Sequence, residues 1–294
     1  MHDRADVGII EDTMAALGLR TVFGPNAFAQ YGYLGGTDDE RAADVHWAFS
    51  NPEIDIILAF RGGWGCNRLL PMLDYDLIAS NPKPLLGYSD ITGLLIALYA
   101  KVGLVSFHTA SGLSTWNTFT VDYIQRVLFD AEAVYFANPT DPGNRLARTK
   151  DRTVTLTPGT ARGRLVGGNL TVLSAMVGSD YMPDWSGHIL FLEDIGEAVY
   201  RVDRMLTQLR LAGILEQISG FVFGQCTNCD PDSGGYGSLT MDQVLDDHLK
   251  PYGIPAFRGA MIGHIADKFT VPVGIEAEMD ADAGTITMLE AAVV

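Results

Sequence analysis

Residues 54–60, IDIILAF, read as a near-continuous apolar strand rich in β-branched side chains. A strand of that kind is covered on both faces, which is the situation of parallel sheets flanked by helices. The neighbouring segments agree. Residues 4–18 place Val7, Ile10, Met14 and Leu17 on one helical face, and DDERAADVHWAFSN is a second helix with acids in its first turn. Between them, TVFG (21–24) reads as a short strand. Strands are also expected at 84–87 and at LVSFH (104–108), with a long apolar helix between. Strands alternating with helices indicate βαβ units, so the expected class is α/β.

Residues 137–163 break the pattern, being rich in Pro, Gly, Thr and charge. They are the candidate linker or crossing segment. The expected division is an N-terminal parallel-sheet α/β domain over 1–136 and a C-terminal α/β domain with a mixed sheet over 164–294. In the second half a Gly-Gly-Asn turn (167–169) precedes a short helix from Thr171. HILFLED (188–194) and ISGFVFG read as buried strands, with a helix at about 198–212 between them. DSGGYGS is a loop, Thr240 and Gln243 suit a capping box, and AMIGH (260–264) reads as a strand end. IEAEMDADAGTITML alternates with period two around Asp-Ala-Gly, the pattern of a hairpin.

Charge and cysteine content narrow the partners. A net charge of −16 opposes binding to a polyanion, so nucleic acid is not expected. The N-terminus has acids where a secretion signal needs a basic and then an apolar region, and the apolar stretch at 91–107 is interrupted by Lys101. A soluble, cytoplasmic protein without membrane contact is expected. Three cysteines fit a reducing compartment, and the Cys226/Cys229 pair reads as two incidental thiols, since one C-x-x-C is at best half a zinc site.

Ligands of open α/β sheets sit at the carboxyl ends of strands. Three such ends carry complementary groups: Ser89 after 84–87, Glu193 in ILFLE and His264 in AMIGH. A serine hydroxyl needs a base, and the base needs a carboxylate to fix its tautomer. Each residue also has an ordinary reading. Ser89 suits a helix N-cap, Glu193 a salt bridge and His264 a structural site. RGGWG (61–65) follows another strand, and its glycines either make a plain turn or aim backbone N–H groups at an oxyanion.

The blocks AFRGGWGCNRLLPMLDYD, KPLLGYSDIT, LVGGNLTVLSAMVGSDYMPDWSGHILFLEDIGEAVYRVDRMLTQLRLAGIL and GHIADKFTVPVG resemble, in order and over roughly residues 1–294, the signature blocks of the LD-carboxypeptidase (muramoyltetrapeptide carboxypeptidase) family of serine peptidases. The resemblance implies two α/β domains with the active site between them, a homodimer, and no metal or cofactor. It implies Ser89 as nucleophile, His264 as base, and Glu193, rather than Asp194 or Glu197, as the acid that orients it. The oxyanion hole would be the N–H groups of Gly63 and Asp90. The substrate would be a peptidoglycan-derived tetrapeptide losing its terminal D-alanine. Members of that family open with a strand ahead of the first helix, whereas this sequence starts at the helix. Holding a terminal carboxylate calls for a cation, for which Arg61 and Arg204 are candidates, with Trp64 nearby.

Other readings share some of these residues. A sister group in the same family, the microcin-immunity hydrolases, cuts peptide-nucleotide antibiotics with the same triad; an aromatic platform for a base would favour it, with Trp64 and Trp116 available. An unrelated α/β-hydrolase has the same Ser, acid, His order, but GYSDI lacks the second glycine of G-x-S-x-G. A two-lobed binder would need an export signal and has no use for the three groups together.

Overall fold

The computed structural model describes residues 4–141, 143–229 and 237–294; the DSGGYGS loop (232–238) lies mostly outside them. The strands among these residues are β1 (Ile57–Leu58), β2 (Leu85–Gly87), β3 (Ser106–His108), β4 (Tyr135–Ala137), β5 (Val154–Thr157), β6 (Thr160–Asn169), β7 (Ile189–Ile195), β8 (Gly220–Thr227), β9 (Ala256–Arg258), β10 (Val271–Val273), β11 (Glu276–Asp280) and β12 (Thr285–Met288). They form two sheets. The smaller, ordered β1-β2-β3-β10, is parallel except for β10, which runs antiparallel to β3. The larger is ordered β4-β12-β11-β6-β7-β8-β9-β5 and is mixed, with β6 to β9 parallel. This is the expected two-domain α/β fold.

Residues 271–280 tie the two sheets together. β10 closes the small sheet, and the chain then enters the large one as β11. At the crossing, the Gly274 N–H donates to the Leu165 carbonyl and the Leu165 N–H to the Ile275 carbonyl, both at 2.8 Å.

The sheet centres explain why these sequences become strands. Ile189 to Leu192 in β7 and Phe221 to Phe223 in β8 are buried, as a parallel strand covered on both faces requires. β6 and β7 approach so closely that a Cβ at Gly167 would stand 1.7 Å from the Phe191 carbonyl oxygen. The expected helices are present at Arg4–Ala16, Asp38–Ser50, Thr92–Val102 and Val199–Leu211. The capping box of Thr240 and Gln243 starts the helix Met241–Leu249, and the C-terminal hairpin is β11–β12.

Several expectations are corrected. TVFG is irregular rather than a strand. IDIILAF forms only the two-residue β1, and its side chains are half-buried, because β1 is the edge of the small sheet and pairs on one side alone. A cavity of about 530 Å³ runs along that edge beside the helix Arg4–Ala16; Arg61 lines it, but Ser89, Glu193 and His264 do not. Residues 137–163 carry β5 and the start of β6, and the Gly-Gly-Asn turn is the end of β6. AMIGH is an extended loop after β9, held by bonds from the Gln225 N–H to the Ile262 carbonyl and from the Phe269 N–H to the Met261 carbonyl. Cys226 and Cys229 are joined as a disulfide, since the turn at the end of β8 brings their Cα atoms to 5.4 Å. No helix among the described residues is long and apolar enough to cross a membrane.

Candidate active site

β2 ends at Gly87, and the chain turns through Tyr88 and Ser89 into a short 3-10 turn and the helix Thr92–Val102. Ser89 has φ 63°, one of few non-glycine residues among those described in the left-handed region. A serine there costs about 1–3 kcal/mol of backbone strain, and such strain clusters at functional sites. The cap reading fails. Neither the 3-10 turn nor the helix has a side-chain cap, and the Ser89 hydroxyl bonds to no backbone N–H among the described residues. The helix is stabilised by burial instead: Thr92 to Leu98 are all buried.

The RGGWG turn lies directly on this serine. A Cβ at Gly62 would stand 2.9 Å from Ser89 Cβ and 3.1 Å from its Oγ, so only glycine fits. Gly63 has φ 137°. The two segments are tied by the buried Asp90, whose carboxylate accepts the Cys66 N–H at 2.9 Å.

Glu193 lies on β7, fully buried, where the β7–β8 register shifts between Leu192 and Asp194. Such an irregularity re-aims a side chain. Its Oε2 accepts from His264 Nδ1 at 2.7 Å, while its Oε1 accepts from Asn169 Nδ2 at 3.3 Å. A carboxylate only accepts, so Nδ1 carries a proton and Nε2 is the nitrogen left to act as base. Burial pushes the Glu193 carboxyl up, but the imidazoles of His108 and His264 outweigh it and hold the group down at about 2. His264 is fixed from behind as well, its carbonyl accepting from Thr227 Oγ1 at 2.9 Å within the Cys226–Cys229 turn.

Asp194 is committed elsewhere. Its carboxylate accepts from Asn169 Nδ2, the Ile195 N–H, and both the backbone and hydroxyl of Thr171. Glu197 is occupied by Arg201 and Thr171. Of the three acids, Glu193 alone meets His264.

The structure brings Glu193 and His264 together, and joins them to the serine segment through Tyr88, whose ring lies 4.8 Å from the His264 ring. Arg61 is exposed with its Nε on the Gly62 carbonyl, and Trp64 is 47 % exposed beside it. Arg204 lies on the exposed face of the helix Val199–Leu211. Residues that sequence reasoning did not single out complete the site. Buried His108 places Nε2 3.6 Å from Glu193 Oε1. Asn169, read only as a turn residue, bridges Glu193 and Asp194. Its backbone N–H also reaches the other lobe, donating to Thr92 Oγ1 at 2.9 Å. Lys268 is 2 % exposed with Nζ 4.1 Å above the Tyr88 ring. Neither Lys268, just ahead of the apolar run FTVPVG, nor His108, a lone histidine ending a strand, carries a local signal of these contacts.

A strained serine against a glycine turn, beside a carboxylate-held imidazole, is suited to acyl transfer. Comparison with known proteins points the same way. Residues 2–109 match the family model described as the LD-carboxypeptidase N-terminal domain, and residues 162–279 match the one described as its C-terminal domain. The chain is 38% identical over 282 residues to a Bacillus subtilis protein named "Probable murein peptide carboxypeptidase", covering 94% of this chain and 84% of that one. It is 31% identical over 286 residues to the murein tetrapeptide carboxypeptidase of Pseudomonas aeruginosa, covering 93% and 89%. The solved structure of MccF in complex with glutamyl sulfamoyl guanosine superposes with a TM-score of 0.88 at 26% identity, covering 99% of this chain and 92% of that one.

Proposed function

The chain belongs to the LD-carboxypeptidase family and is a hydrolase of peptidase type, and from that premise we propose that it is a serine carboxypeptidase releasing the terminal D-alanine of murein tetrapeptides through an acyl-enzyme. The observation that carries this reading is the 2.7 Å bond between His264 Nδ1 and Glu193 Oε2 next to the strained turn of Ser89. In this reading His264 Nε2 takes the Ser89 proton as the hydroxyl attacks the scissile carbonyl. The Gly63 and Asp90 amides receive the oxyanion, where one such donor is worth roughly 2.7–4 kcal/mol. His264 then protonates the departing amine. Water, activated by the same imidazole, cleaves the acyl-serine and restores the hydroxyl. Glu193 stays ionised throughout, which its low pKa favours. Service in cytoplasmic murein recycling, as a homodimer, is part of the same reading.

A second reading rests on the likeness to MccF: hydrolysis of an acyl-sulfamoyl nucleoside by the same three residues. Incubation with a muramoyl tetrapeptide and, in parallel, with an acyl-sulfamoyl adenosine, followed by mass spectrometry, separates the two. Loss of D-alanine from the first supports the carboxypeptidase; cleavage of the second alone supports the sister activity.

A further inference from the structure

Lys268 is a buried cation without an anion. No carboxylate among the described residues pairs with it, and its Nζ rests on the Tyr88 ring at 4.1 Å. Burying an ammonium is costly unless a charge or hydrogen bonds compensate, and one cation–π contact offsets only part of that cost. Its neighbour Asp267 is no partner, because that carboxylate accepts from Asn117 Nδ2.

The position is deliberate in the physical sense that the backbone is pinned. The Lys268 N–H donates to Thr120 Oγ1 at 3.2 Å, and that hydroxyl donates to the Ala266 carbonyl at 3.2 Å. The ammonium is thereby held on one ring, Tyr88, which precedes Ser89 in the chain and contacts the His264 ring at 4.8 Å. Glu193 lies close enough to lift the Lys268 pKa, although burial dominates and lowers it to about 8. The side chain therefore keeps its charge at neutral pH.

We propose that the Lys268 ammonium receives the terminal carboxylate of the peptide substrate, which makes it the residue that restricts cleavage to the last peptide bond. The assignment rests on the carboxypeptidase reading and deepens it. A substrate carboxylate supplies the anion that the protein leaves out, and it arrives attached to the amine that His264 protonates. Arg61 and Arg204, both exposed, lack this desolvated setting, where a charge pair gains most.

The test crosses enzyme and substrate. Wild type and Lys268→Met are each given a murein tetrapeptide ending in D-alanine and the same peptide ending in D-alaninamide, with Lys268→Gln as a second variant that retains hydrogen bonding. Wild type should prefer the free acid by about 30- to 100-fold in kcat/KM, the weight of a hydrogen bond to a charged group. Both variants should lose that preference, falling far further on the acid, chiefly through KM, than on the amide. A wild type indifferent to the terminal group, or variants that slow equally on both peptides, would overturn the assignment alone. A wild type that cleaves neither peptide would overturn the carboxypeptidase reading and this assignment with it.

Discussion

Gly263 and Glu193 meet so closely that a Cβ on residue 263 would stand 2.8 Å from Glu193 Oε2, the oxygen that holds His264. The glycine has φ 124°, which other residues rarely adopt. Its lack of a side chain is what lets the next residue lie against the acid. Gly263→Ala should therefore lower stability by about 1–3 kcal/mol from strain. It should also cost at least about 100-fold in kcat, since displacing the imidazole by about 1 Å has that effect. Urea unfolding and steady-state kinetics measure the two losses separately.

Glu193→Gln keeps the shape of the acid but not its charge. An expected fall of about 10³–10⁴ in kcat with little change in KM follows from losing the tautomer and the imidazolium's partner. The same variant isolates a pH effect on stability. The wild-type carboxyl is held at about 2 against an ordinary 4.5. Its contribution is therefore complete above pH 4.5 and disappears as pH falls toward 2, by about 3 kcal/mol. Denaturation curves at pH 6 and pH 3 should show wild type losing more stability than the glutamine variant.

Much of this arrangement was legible from strand ends alone. The rule that ligands gather at the carboxyl ends of parallel strands selected Ser89 and Glu193, because both really do follow or end such strands. His264 was selected through a strand that does not exist: the apolar AMIGH is a buried loop, held by single backbone bonds from Gln225 and Phe269 rather than by a strand ladder. Periodicity also could not say which apolar run is a sheet edge, so β1 read as central. Asn169, His108 and Lys268 stayed hidden for one reason. Each draws its meaning from residues more than 20 positions away, to which a local pattern is blind.

His108 contacts Tyr88 and Phe191 edge-on, with ring centroids at 6.1 and 5.5 Å. Its Nε2 faces Glu193 at 3.6 Å. His108→Phe keeps the packing and removes the nitrogen; kcat should drop about tenfold with KM within twofold, the loss of one charge-assisted contact. His108→Gln should restore most of it. The Glu193 carboxyl should titrate at a higher pH in His108→Phe, as carbon NMR of that carboxyl reads, because one of the two groups depressing it is gone. A residue that only filled space would show the reverse order of the two variants and no shift.

Lys268 carries the opposite sign. Its pKa is about 8 in the folded chain against an ordinary 10.5, so the unfolded chain binds the extra proton between those values and stability rises with pH there. Below pH 8 the full penalty applies. Lys268→Met should stabilise the protein by about 1–3 kcal/mol at pH 7, after loss of the contact with Tyr88 is counted. The gain should shrink as pH is raised from 8 to 10.5. Chemical denaturation at pH 7 and pH 10 reads both numbers.

Release of D-alanine from a muramoyl tetrapeptide by wild type and by Ser89→Ala is the direct measurement of the central claim. The variant should fall by about 10⁵–10⁶ in kcat while unfolding at the same temperature or higher, since alanine removes no hydrogen bond there. Turnover within tenfold of wild type by the alanine variant would contradict a serine nucleophile at position 89.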